Sequence, residues 1–119
     1  MSNDKAVIYH NPKCSKSRET LQILQDSNIE TEIIEYLEDP PTAQEIWRII
    51  EMLGASARDL MRSTEQVYKD ADLDDDSLSD DDIIEAICEY PALLQRPIVI
   101  CGNRAIIGRP PGRVLEIIA

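Results

Sequence analysis

The chain has 119 residues, of which 43% are hydrophobic, so it is long enough for one compact domain and too short for two of ordinary size. It carries 12 basic and 23 acidic residues, and the net charge of −11 argues against a nucleic-acid or anionic-membrane surface. An anionic ligand would therefore need cationic side chains gathered locally.

The cysteines and the N-terminal residues indicate the compartment in which the chain works. Cys14, Cys88 and Cys101 are an odd number without close spacing, which favours neither a disulfide scaffold nor a C-x2-C zinc site. The N-terminus lacks the pattern of a signal peptide, and no apolar run approaches the roughly 18 residues of a membrane-spanning helix. We therefore expect a cytoplasmic protein without membrane contact.

The N-terminal part of the chain predicts a strand, a helix and a second strand. A β-prone run covers Ala6–Tyr9, turn residues follow it, and apolar side chains recur at helical spacing from Ser17 to about Ser27. The segment Ile29–Leu37 is rich in β-branched residues, which favours a strand. This order is typical of a βαβ unit with parallel strands, whose carboxyl ends are a common location for ligands.

The middle of the chain predicts helices, because three capping boxes stand there in front of apolar residues. A capping box pairs a serine or threonine with an acidic residue three positions later. The three pairs are Thr42 with Glu45, Ser56 with Asp59, and Ser79 with Asp82. They predict helices that end at Leu53, at Arg62 and before Pro91, and together a helical insertion over about residues 42–90.

The C-terminal part of the chain predicts a β-hairpin and a final helix. Pro97 opens the apolar run PIVIC, Gly102 and Asn103 supply a two-residue turn, and the run RAIIG follows. These two strands must therefore be antiparallel. The last ten residues predict a helix that covers the sheet with four apolar side chains, Val114, Leu115, Ile117 and Ile118.

The complete order of elements is β-α-β, a helical insertion, and then β-β-α. This order predicts an α/β fold with a thioredoxin-like mixed sheet, in which the insertion separates the second strand from the third. No linker composition divides the chain, so we expect a single domain over residues 1–119.

Cys14 is the strongest candidate for chemistry. It lies at the start of the first predicted helix, where backbone N–H groups and the helix dipole stabilise a thiolate, and Lys13 and Arg18 are close in sequence. A buried structural cysteine is the alternative, but these flanking residues are polar and basic rather than apolar. His10, the only histidine, either raises the thiolate fraction or completes the turn before the cysteine.

The residues after Cys14 limit the kind of thiol chemistry. Ser17 occupies the position of the second cysteine of a C-x-x-C motif, so Cys14 has no local resolving thiol. Thr20 occupies the position at which cysteine-dependent phosphatases place an arginine, which argues against a phosphate-binding loop of that kind.

Three arginines are candidates for binding an anion. Arg62 ends a short predicted helix, and Arg96 and Arg109 each precede a proline beside a predicted strand. We expect the last two to face the loop that carries Cys14. Arginine suits an oxyanion because it presents a fork of donors and stays charged, although a surface ion pair is the alternative for each of the three.

The remaining candidates favour structural roles. Cys88 and Cys101 have apolar neighbours, which predicts that both belong to the core. The acidic segment Asp70–Asp82 lacks the glycine and the glutamate that an EF-hand loop requires. We therefore predict a solvent-exposed loop there, followed by acidic charge at a helix N-terminus, and no metal site.

Four segments of the sequence resemble one known family. They are YHNPKCSKSR, YLEDPPT, RPIVI and GRPPGRVLEII, and the resemblance extends over about Ala6–Ile118. The family is that of the glutaredoxin-coupled, glutathione-dependent bacterial arsenate reductases, the ArsC family. The resemblance implies a thioredoxin-like fold and a cytoplasmic enzyme that reduces arsenate to arsenite.

The resemblance also implies roles for individual residues. Cys14 would attack arsenate, and His10 and Ser17 would favour its thiolate. The arsenic oxyanion would be held by Asn11, Arg62, Arg96 and Arg109. Glutathione would act as co-substrate and glutaredoxin as protein partner, with no tightly bound cofactor, and the peptide bond before Pro97 would be cis.

Two alternatives stay open at this point. A thioredoxin-like regulator of the Spx type, which contacts RNA polymerase, is disfavoured by Ser17 because a disulfide switch needs a second nearby cysteine. A glutathione-linked monothiol disulfide reductase would use the same C-x-x-S site. Participation of Cys88 or Cys101 in redox chemistry, including a disulfide between Cys14 and Cys101, also stays open.

Overall fold

The computed structural model describes residues 5–118 and contains two compact units. The sheet unit comprises the described residues up to Asp39 together with those from Arg96 onward, and the helical unit comprises Pro40–Gln95. The single domain expected from the sequence stays a prediction. Within residues 5–118, no helix combines the length and the apolar character needed to cross a membrane.

The strands form one mixed sheet in the order β2-β1-β3-β4. Strand β1 is parallel to β2 and antiparallel to β3, and β3 is antiparallel to β4. The elements in chain order are β1 (Ala6–His10), α1 (Ser15–Asp26), β2 (Thr31–Glu35), α2 (Ala43–Leu53), α3 (Gln66–Asp70), α4 (Asp80–Glu89), β3 (Ile98–Cys101), β4 (Arg104–Ile107) and α5 (Leu115–Ile118). This is the predicted thioredoxin-like mixed sheet, with the helical insertion between β2 and β3.

One hydrophobic cluster of the sheet unit lies on the face of the sheet that α1 covers. The strand register aligns Ile8 with Val99 and Val99 with Ile106, so three strands present apolar side chains to the same layer. Leu24 of α1 and Val114, just before α5, pack against that layer and are fully buried. Because side chains alternate along a strand, β1 directs its last residue to the same face as Ile8, the face that α1 covers.

The helical unit confirms the three predicted capping boxes. In each of them the side chain of the serine or threonine accepts the backbone N–H of the acidic residue, whose carboxylate in turn accepts the N–H of the capping residue. Gly54 ends α2 in the left-handed conformation, with a φ of 64°. Helix α4 buries the predicted apolar stripe through Ile83, Ile84 and Ile87.

Two features of the helical unit differ from the prediction. The short helix expected to reach Arg62 is a 3₁₀ helix over Ala57–Leu60, because Met61 is extended and forms a β-bridge with Leu94. Helix α3 was not predicted, since it buries none of its residues and therefore has no apolar periodicity to detect.

Three further predictions are corrected. Strand β2 ends at Glu35 rather than Leu37, because the N–H groups of Glu38 and Asp39 turn back to the carbonyl of Glu35. Leu115 does not cover the sheet but is 52% exposed, since the buried side chains around it, Val114 and Ile117, are three residues apart. Cys88 is only half-buried, because it lies one position beyond the buried stripe of α4, and its thiol donates to the carbonyl of Pro41.

Gly108 follows β4 and lies in close contact with α1. A Cβ atom at this position would be 2.8 Å from Oγ1 of Thr20 and 2.9 Å from Cγ of Pro97, which is closer than real Cβ contacts. We expect Gly108→Ala to lower the free energy of unfolding by about 1–3 kcal/mol, measured by urea denaturation. The control Gly112→Ala, where nothing lies within 4 Å of the new Cβ, should stay within about 0.5 kcal/mol of the wild type. Equal losses in the two variants would contradict the close contact.

Candidate functional site

All four strands bring residues to the same end of the sheet. The parallel strands β1 and β2 end there, β1 leading into the loop with Cys14 and β2 into Tyr36. Strand β3 runs in the opposite direction and begins there, directly after Arg96 and Pro97, while β4 ends there and leads to Arg109. The order of the strands therefore gathers residues that are far apart in the sequence.

Cys14 is the N-cap residue of α1, with extended backbone angles of φ −96° and ψ 122°. Its N–H donates to the carbonyl of Asn11 at 2.9 Å, which closes the turn between β1 and α1. The side-chain oxygen Oδ1 of Asn11 accepts the N–H of Lys13 at 3.0 Å and makes the turn tighter. The thiol is consequently held, half-buried, at the N-terminal end of the helix.

Several interactions set the ionisation of Cys14. Partial burial by itself raises the pKa of the thiol, but the backbone N–H of Ser17, the guanidinium of Arg96 and the backbone N–H of Lys16 outweigh it, so the pKa lies below its ordinary value. Nη2 of Arg109 is 3.9 Å from the sulfur. Because the thiolate is the nucleophilic form, this environment favours attack by Cys14.

The two arginines of the sheet unit are themselves held in place. Nε of Arg109 donates to the carbonyl of Arg96 at 2.7 Å, and Nη1 of Arg96 lies 3.5 Å from the hydroxyl of Tyr36. Nε of Arg96 is buried and has no hydrogen-bond partner among residues 5–118. A buried donor without a partner is unfavourable, and an oxyanion next to Cys14 is an acceptor that would satisfy it.

Tyr36 is a site residue that the sequence reasoning missed. It is fully buried, and burial raises the pKa of its phenol, although Arg96 acts in the opposite direction. The hydroxyl is therefore neutral at physiological pH. The only sequence signal was a tyrosine at the end of a predicted strand, which suits an ordinary core position equally well.

His10 and Ser17 connect the Cys14 loop to β1. Oγ of the fully buried Ser17 accepts the N–H of Asn11 at 3.0 Å and lies 2.6 Å from Nδ1 of His10. Burial lowers the pKa of His10; Glu35 opposes this shift and Arg18 adds to it. The imidazole is then neutral, and the serine hydroxyl can donate to Nδ1. The predicted effect of both residues on the thiolate stays a prediction.

Arg62, the third predicted arginine, belongs to the helical unit. Its backbone N–H donates to the carbonyl of Leu93 at 2.6 Å, as part of the bridge that ends the 3₁₀ helix. Its Nη1 is buried and lacks a hydrogen-bond partner within the described part of the chain. Its role at the oxyanion stays a prediction.

Cys101 differs from Cys14 in its position in the sheet, and Cys88 differs from it in the direction of its pKa shift. Cys101 is buried and pairs with Ala6 at the far end of β1, about 13 Å from His10 at the strand's rise per residue. A disulfide needs Cα atoms within about 7 Å, so this geometry excludes one between Cys101 and Cys14. Burial and two glutamates, Glu45 and Glu85, raise the pKa of Cys88.

A shallow cleft of about 160 Å³ opens beside the Cys14 loop. It is lined by residues 10–13 of that loop and by Glu35, Leu37 and Glu38 at the end of β2. Lys13 and the two glutamates give the cleft charges of both signs. A small zwitterion therefore matches its lining better than a purely anionic molecule does.

Comparisons with known proteins agree with this geometry. Residues 9–117 match the model of the ArsC family. An Escherichia coli arsenate reductase is 41% identical over 118 residues, which cover 99% of this chain and 82% of that protein. An uncharacterised Escherichia coli protein, YfgD, is 49% identical over 112 residues, with 93% and 94% covered.

The structural comparison leads to the same family. The structure described as an arsenate reductase from Vibrio cholerae superposes with a TM-score of 0.94 at 48% sequence identity, covering 97% of this chain and 98% of that one. The family model and these relatives extend over nearly the whole chain, well beyond the cysteine loop. This protein belongs to the ArsC family.

Proposed function

We propose that this protein reduces arsenate to arsenite, with Cys14 as the nucleophile. The observation that carries the proposal is an activated thiol that faces two guanidinium groups, with Nη2 of Arg109 3.9 Å from the sulfur and Arg96 stabilising the thiolate. The relatives named arsenate reductase support the choice of substrate. The arginines also offset, at this one place, a net charge of −11 that repels anions.

The first chemical step would be attack by the thiolate of Cys14 on arsenic. A sulfur–arsenic bond forms, and one arsenate oxygen takes up protons and leaves as water, so that arsenic stays five-valent in the adduct. Arg96 and Arg109 would bind the remaining oxygens, and we assign the same role to Asn11 and Arg62. Arginine suits this task because its planar fork of donors matches two oxygens at once.

The next steps would supply two electrons from two external thiols. Glutathione attacks the adduct and forms a bond between its sulfur and arsenic, releasing a second water. The thiolate of glutaredoxin then attacks the glutathione sulfur, and the electron pair of the sulfur–arsenic bond reduces arsenic from five-valent to three-valent. A mixed disulfide of glutathione and glutaredoxin results, and water displaces arsenite from Cys14.

This route needs external thiols because Ser17 stands where a resolving cysteine would be, and it needs no tightly bound cofactor. The ammonium of glutathione complements the two glutamates of the cleft beside the Cys14 loop, and one of its carboxylates complements Lys13. A reducing cytoplasm supplies this thiol and fits the cysteine content.

Arsenite formation in a coupled assay tests the proposal. We expect turnover with the wild-type protein, arsenate, glutathione and glutaredoxin together, and a fall to background when either glutathione or glutaredoxin is omitted. A glutathionylated peptide serves as the competing substrate. Turnover of that peptide at a rate comparable to arsenate would favour a monothiol disulfide reductase, because such a reaction makes no use of the arginines.

A further inference from the structure

The hydroxyl of Tyr36 lies between two parts of the site. It accepts a hydrogen bond from Nη1 of Arg96 at 3.5 Å, and the nearby side chain of Asn11 lowers the pKa of the phenol. The ring is fully buried at the end of β2, so packing fixes the position of the hydroxyl. The Tyr36 hydroxyl has no role in the proposed bond-forming steps.

Asn11 is oriented by hydrogen bonds within its own turn. Its Oδ1 accepts the N–H of Lys13 at 3.0 Å, so the amide NH₂ group is the donor that this side chain can still offer. Asn11 also accepts the N–H of Cys14 through its backbone carbonyl. The phenol oxygen thus lies between the turn that carries the nucleophile and the arginine that faces it.

The phenol of Tyr36 is a neutral acceptor, and this preserves the positive charge of Arg96. A carboxylate at the same point would form an ion pair and neutralise the guanidinium. A neutral phenol instead accepts one N–H and leaves the positive charge for the thiolate and for an oxyanion. The remaining donors of Arg96 then stay available for ligand oxygens, including Nε, which has no partner within residues 5–118.

We propose that Tyr36 is a positioning residue, whose buried hydroxyl accepts from Arg96 and so holds the guanidinium against the sulfur of Cys14. It acts through Arg96. The effect on the thiolate does not depend on the substrate, whereas the effect on arsenate binding rests on the proposed function.

The variant Tyr36→Phe removes the hydroxyl and keeps the ring. Mass spectrometry of the Cys14 peptide follows the rate of alkylation by two reagents. Iodoacetate is an anion, and iodoacetamide is a neutral reagent that alkylates thiols by the same reaction. We expect the preference for the anion to fall about fivefold and the pH profile of alkylation to shift to higher pH. Tyr90→Phe, at a residue that is 41% exposed in the helical unit, should match the wild type in both measurements.

An unchanged reagent preference and pH profile in folded Tyr36→Phe would overturn the proposal. Carbon-13 NMR of ζ-labelled tyrosine in the wild-type chain gives a second test that requires no tyrosine variant to fold. The Tyr36 signal should shift as Cys14 titrates, and this shift should be absent in Cys14→Ser. A Tyr36 signal that stays constant while Cys14 titrates would also overturn the proposal. Neither measurement contains arsenate, so a failure here is distinguishable from a failure of the proposed function.

Discussion

Replacing Cys14 with serine should abolish arsenite production in the coupled assay. The hydroxyl of serine stays protonated at neutral pH. The N–H groups of Lys16 and Ser17 and the Arg96 guanidinium would then have no thiolate to stabilise. We expect turnover to fall at least about a thousandfold, as when other covalent nucleophiles are removed. The measurement is arsenite formed per enzyme with saturating glutathione and glutaredoxin.

Cys88→Ser is the matched control for this experiment. Cys88 is also half-buried, but its pKa is raised by burial and by two glutamates, so it is a poor nucleophile at neutral pH. Its variant should keep a turnover close to that of the wild type. Substantial turnover in Cys14→Ser, or a comparable loss in Cys88→Ser, would remove Cys14 from the role of the single nucleophile.

The second large effect is expected for Arg96→Lys. Lysine keeps the positive charge but loses the planar fork, so the contacts to the Tyr36 hydroxyl and to two oxygens of one ligand cannot all be made. A hydrogen bond to a charged group contributes about 1.5–3 kcal/mol, which corresponds to a loss of roughly tenfold to a hundredfold in kcat/KM for arsenate. Alkylation of Cys14 by iodoacetamide should change much less, because the charge near the sulfur is kept.

Arg113→Lys is the control for the arginine-to-lysine change itself. Arg113 belongs to the same unit but is about half exposed, and its partner Glu116 is 3.6 Å away on the surface. This exchange should leave both arsenate turnover and alkylation unaltered. If Arg96→Lys instead lowers turnover and alkylation by the same factor, Arg96 acts by activating the thiol and not by holding the oxyanion.

Features that depend on residues close together in the sequence were predictable. The capping boxes that start α2 and α4 join residues three positions apart, and the turn at Gly102 and Asn103 joins two adjacent strands. Cys14 at the N-terminus of α1 belongs to the same class, because a helix presents its free N–H groups to whichever residue stands at its start. Helix α3 was missed because it has no apolar stripe that the local sequence pattern could reveal.

The sequence by itself determined the order of the elements other than α3, a cysteine at a helix N-terminus and the lack of a resolving thiol at Ser17. The tertiary structure alone decided that Arg109, 95 positions from Cys14, reaches its sulfur, and that Arg96 meets Tyr36 across 60 positions. These contacts follow from the strand order β2-β1-β3-β4, which places the ends of all four strands together. Periodicity reports which face of an element is buried, but not which strand becomes its neighbour, so nothing in the sequence distinguished Tyr36 from a core residue.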